Sequence, residues 1–458
     1  MSIAFLPALE QARLVRERTV SPVELVEEYL ARIERLDPEL NAYVTVCADE
    51  ALAQAKAPLD GPFAGVPHPI KDLVDTAGIR TTYSCKAFAS NVPAEDAELA
   101  RRIRAAGFVV LGKTNTPEFG TTAVTESELN GICRNPWDTS RTPGGSSGGA
   151  AAAVAAGLAP IAQGSDGGGS IRIPASCCGL FGLKPTRGRT SPAPRGDAYG
   201  FSVAGSLART VADAAAFLDA IAGPKPGDQY VAPPPQRPFA EEVGAPPGRL
   251  RVALVLEPPT QGRVDPVCVA ASRDAAALLE QLGHDVDEVS IPWQSDDLGE
   301  LFAIVWQTIP TLYAVSDHAQ LEPLNAEFLA RAETTSSADY VQAYTQLQRY
   351  GRRVAEFCAG YDVVLTPTLA VPPVPVGWIR EPEDPWEQYA RAIEFTPFTP
   401  AVNVAGLPAA SLPLSWTEDG LPIGVQLIAS FGGEALLFRV SAQIEEARPW
   451  AERRPPVD

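Results

Sequence analysis

The chain has 458 residues, 45% of them hydrophobic and 20% charged, an ordinary globular composition long enough to bury a large core. Lys and Arg number 37 against 56 Asp and Glu, and the net charge of −19 repels phosphate backbones and anionic bilayers, which argues against nucleic acid as a direct partner. The opening MSIAFLPALEQARLVRER lacks the basic-then-apolar order of a secretory leader, and the longest apolar run, residues 150–162, is broken by Gly157 and Pro160 and too short to span a bilayer. A cytoplasmic location with no membrane partner is the expectation.

Residues 1–60 read as helical. Ser21-Pro22-Val23-Glu24 combines an N-cap, a proline at the first helical position and a glutamate three residues after the cap. Val23, Leu25, Val26, Leu30, Ile33 and Leu36 follow at helical spacing, and Asp37-Pro38 is expected to end the helix. Asp60-Gly61-Pro62 turns the chain into an apolar segment, 63–70, that leads to Lys71. A helix over 96–106 precedes a strand over 108–111, and a helix over 150–156 precedes the apolar segment 158–162. This alternation predicts an α/β fold: one large domain with a mixed, mostly parallel central β-sheet covered by helices.

Pro233-Pro234-Pro235, Pro238, Pro246 and Pro247 mark 223–250 as an extended surface connection. A strand over 251–256, a helix over 267–282, a helical stretch over 293–360 and a strand over 361–365 follow. A second Pro-rich stretch covers 370–387. Strands near 409–413 and 422–429 and a helix over 433–446 complete the chain. No internal repeat of fixed period is present. The expected organisation is a single domain over 1–458: a helical part at 1–60, a core at 61–222, a more variable substrate-side segment at 223–395, and the rest of the core at 396–458.

The seven cysteines are odd in number and form no framework, so buried free thiols are expected. Adjacent Cys177 and Cys178 cannot chelate as a CxxC pair does, and only His68, His284 and His318 are available besides. No metal and no cofactor is expected.

Three segments carry chemistry. They are Gly65-Val66-Pro67-His68-Pro69-Ile70-Lys71-Asp72, Pro143-Gly144-Gly145-Ser146-Ser147-Gly148-Gly149, and Gly164-Ser165-Asp166-Gly167-Gly168-Gly169-Ser170-Ile171-Arg172. Three glycines leading into Ser170 remove side chains, so that backbone N–H groups can converge on one oxygen beside a hydroxyl. Gly144 to Gly148 also fits the G-x-S-x-G elbow of α/β-hydrolases, but neither downstream histidine sits in a Gly-rich loop suited to a catalytic base. With histidine scarce, a neutral lysine relayed by a second serine is the base that the inventory offers. Burial behind 66–70 lowers a lysine pKa, against the pull of adjacent Asp72, whose side chain an extended segment turns to the other face.

Taken together, these segments resemble the amidase signature family. G-V-P-x-x-x-K-D is matched by 65–72, G-G-S-S-G-G by 144–149, and G-G-S-I-R-x-P-A followed by C-G-L-x-G-L-K-P-T by 168–175 and 178–186. The separations of Lys71, Ser146 and Ser170 are similar to those of the fatty acid amide hydrolases. Further likeness lies in Lys113-Thr114-Asn115, Pro117-Glu118-Phe119-Gly120, Arg134-Asn135-Pro136-Trp137, Asn403 to Ala409 and Gly420 to Gln426.

The resemblance implies that Ser170 is the nucleophile, Ser146 the bridging serine after a cis peptide bond, and Lys71 the base. It implies an oxyanion hole from the N–H groups of Gly167, Gly168, Gly169 and Ser170, with Asp166 and Arg172 in support and Ser147 as a helper. One departure stands out: Gly167 occupies a position where the family usually has Thr or Ile, which is expected to widen or loosen the nucleophile loop. The family's members cleave amides, esters, carbamates or cyclic oligoamides, or serve as the A subunit of the tRNA-dependent amidotransferase. A small-molecule amide substrate is expected, aryl or alkyl, with carbamate or ester as the alternative. Trp306, Tyr313, Phe395 and Phe398 are the candidate pocket residues, with Tyr344 also available, and the chain is expected to act as a monomer or homodimer.

Overall fold

The structure is a computed structural model that describes residues 2–457 apart from Asp197, Gln261 and Asp296. Its strands are β1 (Tyr43–Val46), β2 (Pro67–Lys71), β3 (Val109–Thr114), β4 (Glu126–Ser127), β5 (Gly131–Ile132), β6 (Ile161–Asp166), β7 (Phe181–Lys184), β8 (Val203–Ala208), β9 (Arg251–Leu254), β10 (Asp285–Glu288), β11 (Val363–Pro367), β12 (Ala409–Trp416) and β13 (Pro422–Ala429). Eight of them form the main sheet in the order β10-β9-β11-β13-β12-β7-β8-β6, and β1-β3-β2 form a smaller one. The fold is α/β in one domain, with a large mixed sheet flanked by helices.

Within that sheet the expected parallel majority is corrected. Only β10–β9 and β9–β11 pair in parallel; the five other neighbouring pairs are antiparallel. Parallel neighbours need a crossover long enough to return the chain, which the helix Pro266–Gln281 supplies between β9 and β10. β12 and β13 are instead joined by the turn at 417–421, and β7 and β8 by a loop whose described residues form no helix. The chain reverses at each.

Alternating strand residues serve two cores. Val252, Leu254, Val363, Leu365, Val425 and Leu427 pack with Phe217, Leu279 and Phe438 on one face. Ala253, Val364, Ala409 and Ile428 pack with Phe302, Leu347 and Val354 on the other. A third cluster surrounds the helix Gly148–Ala155, every residue of which is buried.

The capping box at Ser21 is present: Ser21 Oγ accepts from Glu24 N at 3.2 Å and Glu24 Oε2 accepts from Ser21 N at 2.7 Å. That helix runs Pro22–Leu40, past the expected stop: Pro38 forgoes one hydrogen bond inside the last turn, but the ladder continues beyond it, with Asn41 N–H donating to Asp37 O at 2.7 Å. Asn41 in the left-handed region ends it. β1 interrupts the helical reading of 1–60; Tyr43 and Val46 pair with β3 instead. All seven cysteines are buried and free. Among the described residues no helix is long and apolar enough to cross a membrane.

Candidate active site

Lys71 is the last residue of β2 and is fully buried. Its N–H donates to Gln163 Oε1 of β6 at 3.0 Å, which ties the two strands together at the level of the site. Ser146 and Ser147 lie just before the helix Gly148–Ala155, and the Gly145–Ser146 peptide is cis. β6 ends at Asp166, and the three glycines carry the chain to Ser170 and the helix Arg172–Cys178. Ser147 N–H donates to Ser170 O at 3.2 Å, so the two serine loops touch.

Lys71 Nζ lies 2.7 Å from Ser146 Oγ, 3.0 Å from Ser147 Oγ and 3.1 Å from Ser165 Oγ. All three partners are hydroxyls, and none carries charge. Burial pushes the lysine pKa from 10.5 down to about 7, while Asp166 pulls it back up. Asp72 is turned away, as the extended backbone requires: it accepts from Thr82 N at 3.1 Å and from Thr82 Oγ1, and its charge partner is Lys113.

Asp166 is fully buried, and burial pushes its carboxyl up, but Arg172, with Lys184 and Asn403, outweighs this and holds it far below the usual carboxylate range. Arg172 Nε and Nη2 donate to its two oxygens at 3.0 and 2.9 Å. Arg172 also donates to Gln426 Oε1 and Asn403 Oδ1, each at 2.5 Å, and Asn403 Nδ2 donates to Asp166 Oδ1 at 2.8 Å. Gly169 N–H donates to Asp166 Oδ1 at 2.9 Å. Among the described residues no acceptor takes the N–H groups of Gly167, Gly168 or Ser170. Gly169 has φ +131°, and a Cβ there would collide with Thr399 Oγ1, so both backbone and space require glycine.

Ser146, Ser165, Gly167 and Ser170 line one cavity of about 640 Å³, together with Leu73, Phe119, Tyr199, Trp306, Ile309 and Tyr313. Its walls are mainly apolar and aromatic, with Asp75 and Arg195 also in the lining. Arg195 Nη2 donates to Tyr83 OH at 2.8 Å and pairs with Asp75 at 3.0 Å.

Known proteins bear on this geometry. The family model described as Amidase matches residues 24–438. The 6-aminohexanoate-cyclic-dimer hydrolase of Paenarthrobacter ureafaciens is 40% identical over 479 residues, covering 98% of this chain and 96% of that one. A putative amidase of Mycobacterium tuberculosis is 42% identical over 475 residues, covering 99% of each. A solved structure of 6-aminohexanoate cyclic dimer hydrolase complexed with substrate superposes with a TM-score of 0.95 at 37% identity, covering 100% of both chains. The chain belongs to the amidase signature family. It is an amidase, a hydrolase of carbon–nitrogen amide bonds.

Of the aromatic residues singled out in the sequence, Trp306 and Tyr313 line the amidase cavity, whereas Phe395 and Phe398 do not. Both phenylalanines are buried and border neither this cavity nor the smaller one adjoining Ser170. They flank the turn between the helices Pro385–Phe395 and Pro400–Ala405, where the chain passes under the site. Tyr344 stacks on Tyr340 and meets Tyr230 OH at 3.2 Å, behind the cavity wall. Gly169 is corrected as an oxyanion donor, since Asp166 already takes its N–H. The expected loosening at Gly167 is also corrected. A Cβ there would meet Trp306 Cη2 at 2.9 Å, so an indole from a distant helix fills the space that a threonine or isoleucine would take.

Sequence reasoning missed Ser165, Thr399, Asn403 and Gln426 as parts of the site. Ser165 stands inside the third chemistry-bearing segment without having been given a role, and Asn403 and Gln426 stand inside the matched C-terminal segments. Their contact with Lys71 or Arg172 spans 94 to 254 residues of chain, a distance that no local pattern reports.

Proposed function

We propose that this amidase works through an acyl-enzyme on Ser170, with Ser146 relaying a proton to a neutral Lys71. The observation that carries this reading is Lys71 Nζ at 2.7 Å from Ser146 Oγ, buried and, among the described residues, without a carboxylate partner. A neutral amine has two N–H groups and one lone pair. Ser147 donates its own proton to Ser165 O at 3.2 Å, so toward Lys71 it is an acceptor. Ser165 Oγ takes the second N–H. The lone pair then faces Ser146, which donates to it.

Ser170 Oγ attacks the carbonyl carbon as its proton passes to Ser146 Oγ and the Ser146 proton passes to Lys71 Nζ. The N–H groups of Gly167, Gly168 and Ser170 receive the oxyanion. When the C–N bond breaks, the proton returns from Lys71 Nζ through Ser146 Oγ to the leaving nitrogen, while Ser170 Oγ stays bonded to the acyl carbon. Water then attacks the Ser170 ester, losing its proton to the relay, and the acid departs with Ser170 restored.

The mainly apolar and aromatic cavity favours uncharged aryl or alkyl amides, with carbamates and esters as further substrates of the same chemistry. Thr396 stands seven residues before Asn403, where the amidotransferase subunit has an aspartate, and its hydroxyl donates to Ala392 O at 2.8 Å. No carboxylate there is available for an α-ammonium group, so the chain acts unaided and ignores glutamine.

The test is a panel of anilides, alkyl amides, carbamates, esters, 6-aminohexanoate cyclic dimer and glutamine on pure protein, with a fluorophosphonate probe located by mass spectrometry. Label on Ser170 and turnover of simple amides are expected. Label on Ser146 or Ser147, or robust glutaminase activity, overturns the reading.

A further inference from the structure

Two cavities meet at Ser170. The wide one, of about 640 Å³, is described above. A second, of about 60 Å³, is lined by Gly168, Ser170, Ile173, Phe302, Leu324 and Ile393, among others. Trp306, Gly120 and Ser170 border both. The indole is held in place: Trp306 Nε1 donates to Thr121 O at 2.9 Å, and its ring stacks on Phe302 with centroids 5.1 Å apart. Trp306 is therefore a fixed wall beside the scissile position, and it leaves unequal room on its two sides.

Proton geometry says which half of the substrate goes where. The leaving nitrogen must come within hydrogen-bond reach of the group that returns its proton. In the mechanism proposed above, on which this inference rests, that group is Ser146. Ser146 lines the wide cavity and not the narrow one. The amine half therefore lies in the wide cavity, and the acyl half must extend to the other side of Ser170.

We infer that the narrow chamber behind Trp306 is the acyl subsite, and that this amidase is selective for short acyl groups on large amines. A cavity that holds benzene measures about 150 Å³. A chamber of about 60 Å³ accordingly admits only a few heavy atoms, so acetyl to butyryl groups fit and longer ones do not. The amine half, with ten times the volume, is free to be aryl. A macrocyclic diamide, whose acyl and amine ends are joined, cannot divide itself between the two chambers.

The experiment measures kcat/KM on anilides of acetic, butyric, hexanoic and octanoic acids, and on acetamides of amines from methylamine to naphthylamine. In the wild type, kcat/KM is expected to fall at least about tenfold from butyryl to octanoyl, while larger amines are accepted. Trp306→Ala, which merges the chambers, raises the octanoyl-to-acetyl ratio at least about tenfold. Ile393→Ala shortens the far wall, away from the glycine loop, and raises the same ratio even if Trp306→Ala fails to fold. A wild-type profile flat in acyl length, or a sharp limit on amine size instead, overturns the inference. So does an unchanged ratio in Ile393→Ala. Fluorophosphonate labelling of Ser170 separates the two levels: with Ser170 labelled, a flat acyl profile overturns only the subsite, whereas label on another serine removes the mechanism beneath it.

Discussion

Lys71 Nζ and Ser146 Oγ lie 2.7 Å apart inside the protein, and the carboxylate that acts on the lysine, Asp166, is itself neutralised by Arg172. The lysine is thus poised to lose its proton near neutrality, with a pKa of about 7. The base form is the deprotonated one, present above that value and lost below it. The acylation rate, read as kcat/KM on an anilide, should rise with pH through about 7 and level off near pH 8. Each pH unit below 7 should cost about tenfold. Lys71→Arg, charged at every pH, should be inactive and show no such limb. A flat wild-type profile from pH 5 to 9 with an active Lys71→Arg would reduce Lys71 to a structural charge.

Ser146 and Ser147 are neighbours with different hydrogen-bond duties. Ser147 Oγ donates to Ser165 O at 3.2 Å and accepts from Ser165 N at 3.3 Å, so in the proposed relay it orients Lys71 and passes on no proton. Ser146→Ala should lower kcat about 10²- to 10⁴-fold, the range of a lost acid–base group. Ser147→Ala should lower it by roughly ten- to a hundredfold, in line with one lost hydrogen bond to a partly charged group. Equal losses would make Ser147 part of the relay.

Trp306 and Gly167 compete for one volume. Gly167→Thr forces a Cβ to within 2.9 Å of Trp306 Cη2 and should destabilise the protein by about 1–3 kcal/mol, with a fall in kcat as the loop moves. Trp306→Leu in the same chain should recover part of both. A double-mutant cycle on urea midpoints and on kcat measures the coupling. Additive effects would show that the two positions do not share space.

Arg172 and Asp166 form a fully buried pair, extended by Asn403 and Gln426. Arg172→Met leaves the carboxylate without its cation and should cost about 3–5 kcal/mol of stability, seen as a lowered urea midpoint with little change in slope. Activity should fall further than stability explains, because Asp166 also holds Gly169 N–H. A variant as stable as wild type would mean that water or Lys184 replaces the guanidinium.

Local signals were legible wherever the chain writes them locally. The capping box at Ser21, the glycine loop before Ser170 and the apolar approach to Lys71 each depend on residues within a few positions of one another. The direction of strand pairing was not legible, because β7 and β8 look alike in composition whether the loop between them crosses over or turns back. Phe395 and Phe398 were misplaced for a related reason: an aromatic side chain reads the same in a core as in a pocket wall.

By itself the sequence determined the family and the inventory behind the proposed chemistry: one lysine and two serine-bearing loops at family spacings, with no histidine suited to serve as base. Those properties belong to residue types and to short stretches of backbone. The tertiary structure decided what surrounds them. It set Asp166 rather than Asp72 against Lys71, and supplied Ser165 as a third hydroxyl. It also brought Trp306 from 139 residues away into the space left open by Gly167, dividing the approach to Ser170 into a wide and a narrow side. Close packing joins residues that the chain holds apart, and its geometry is written only in the folded molecule.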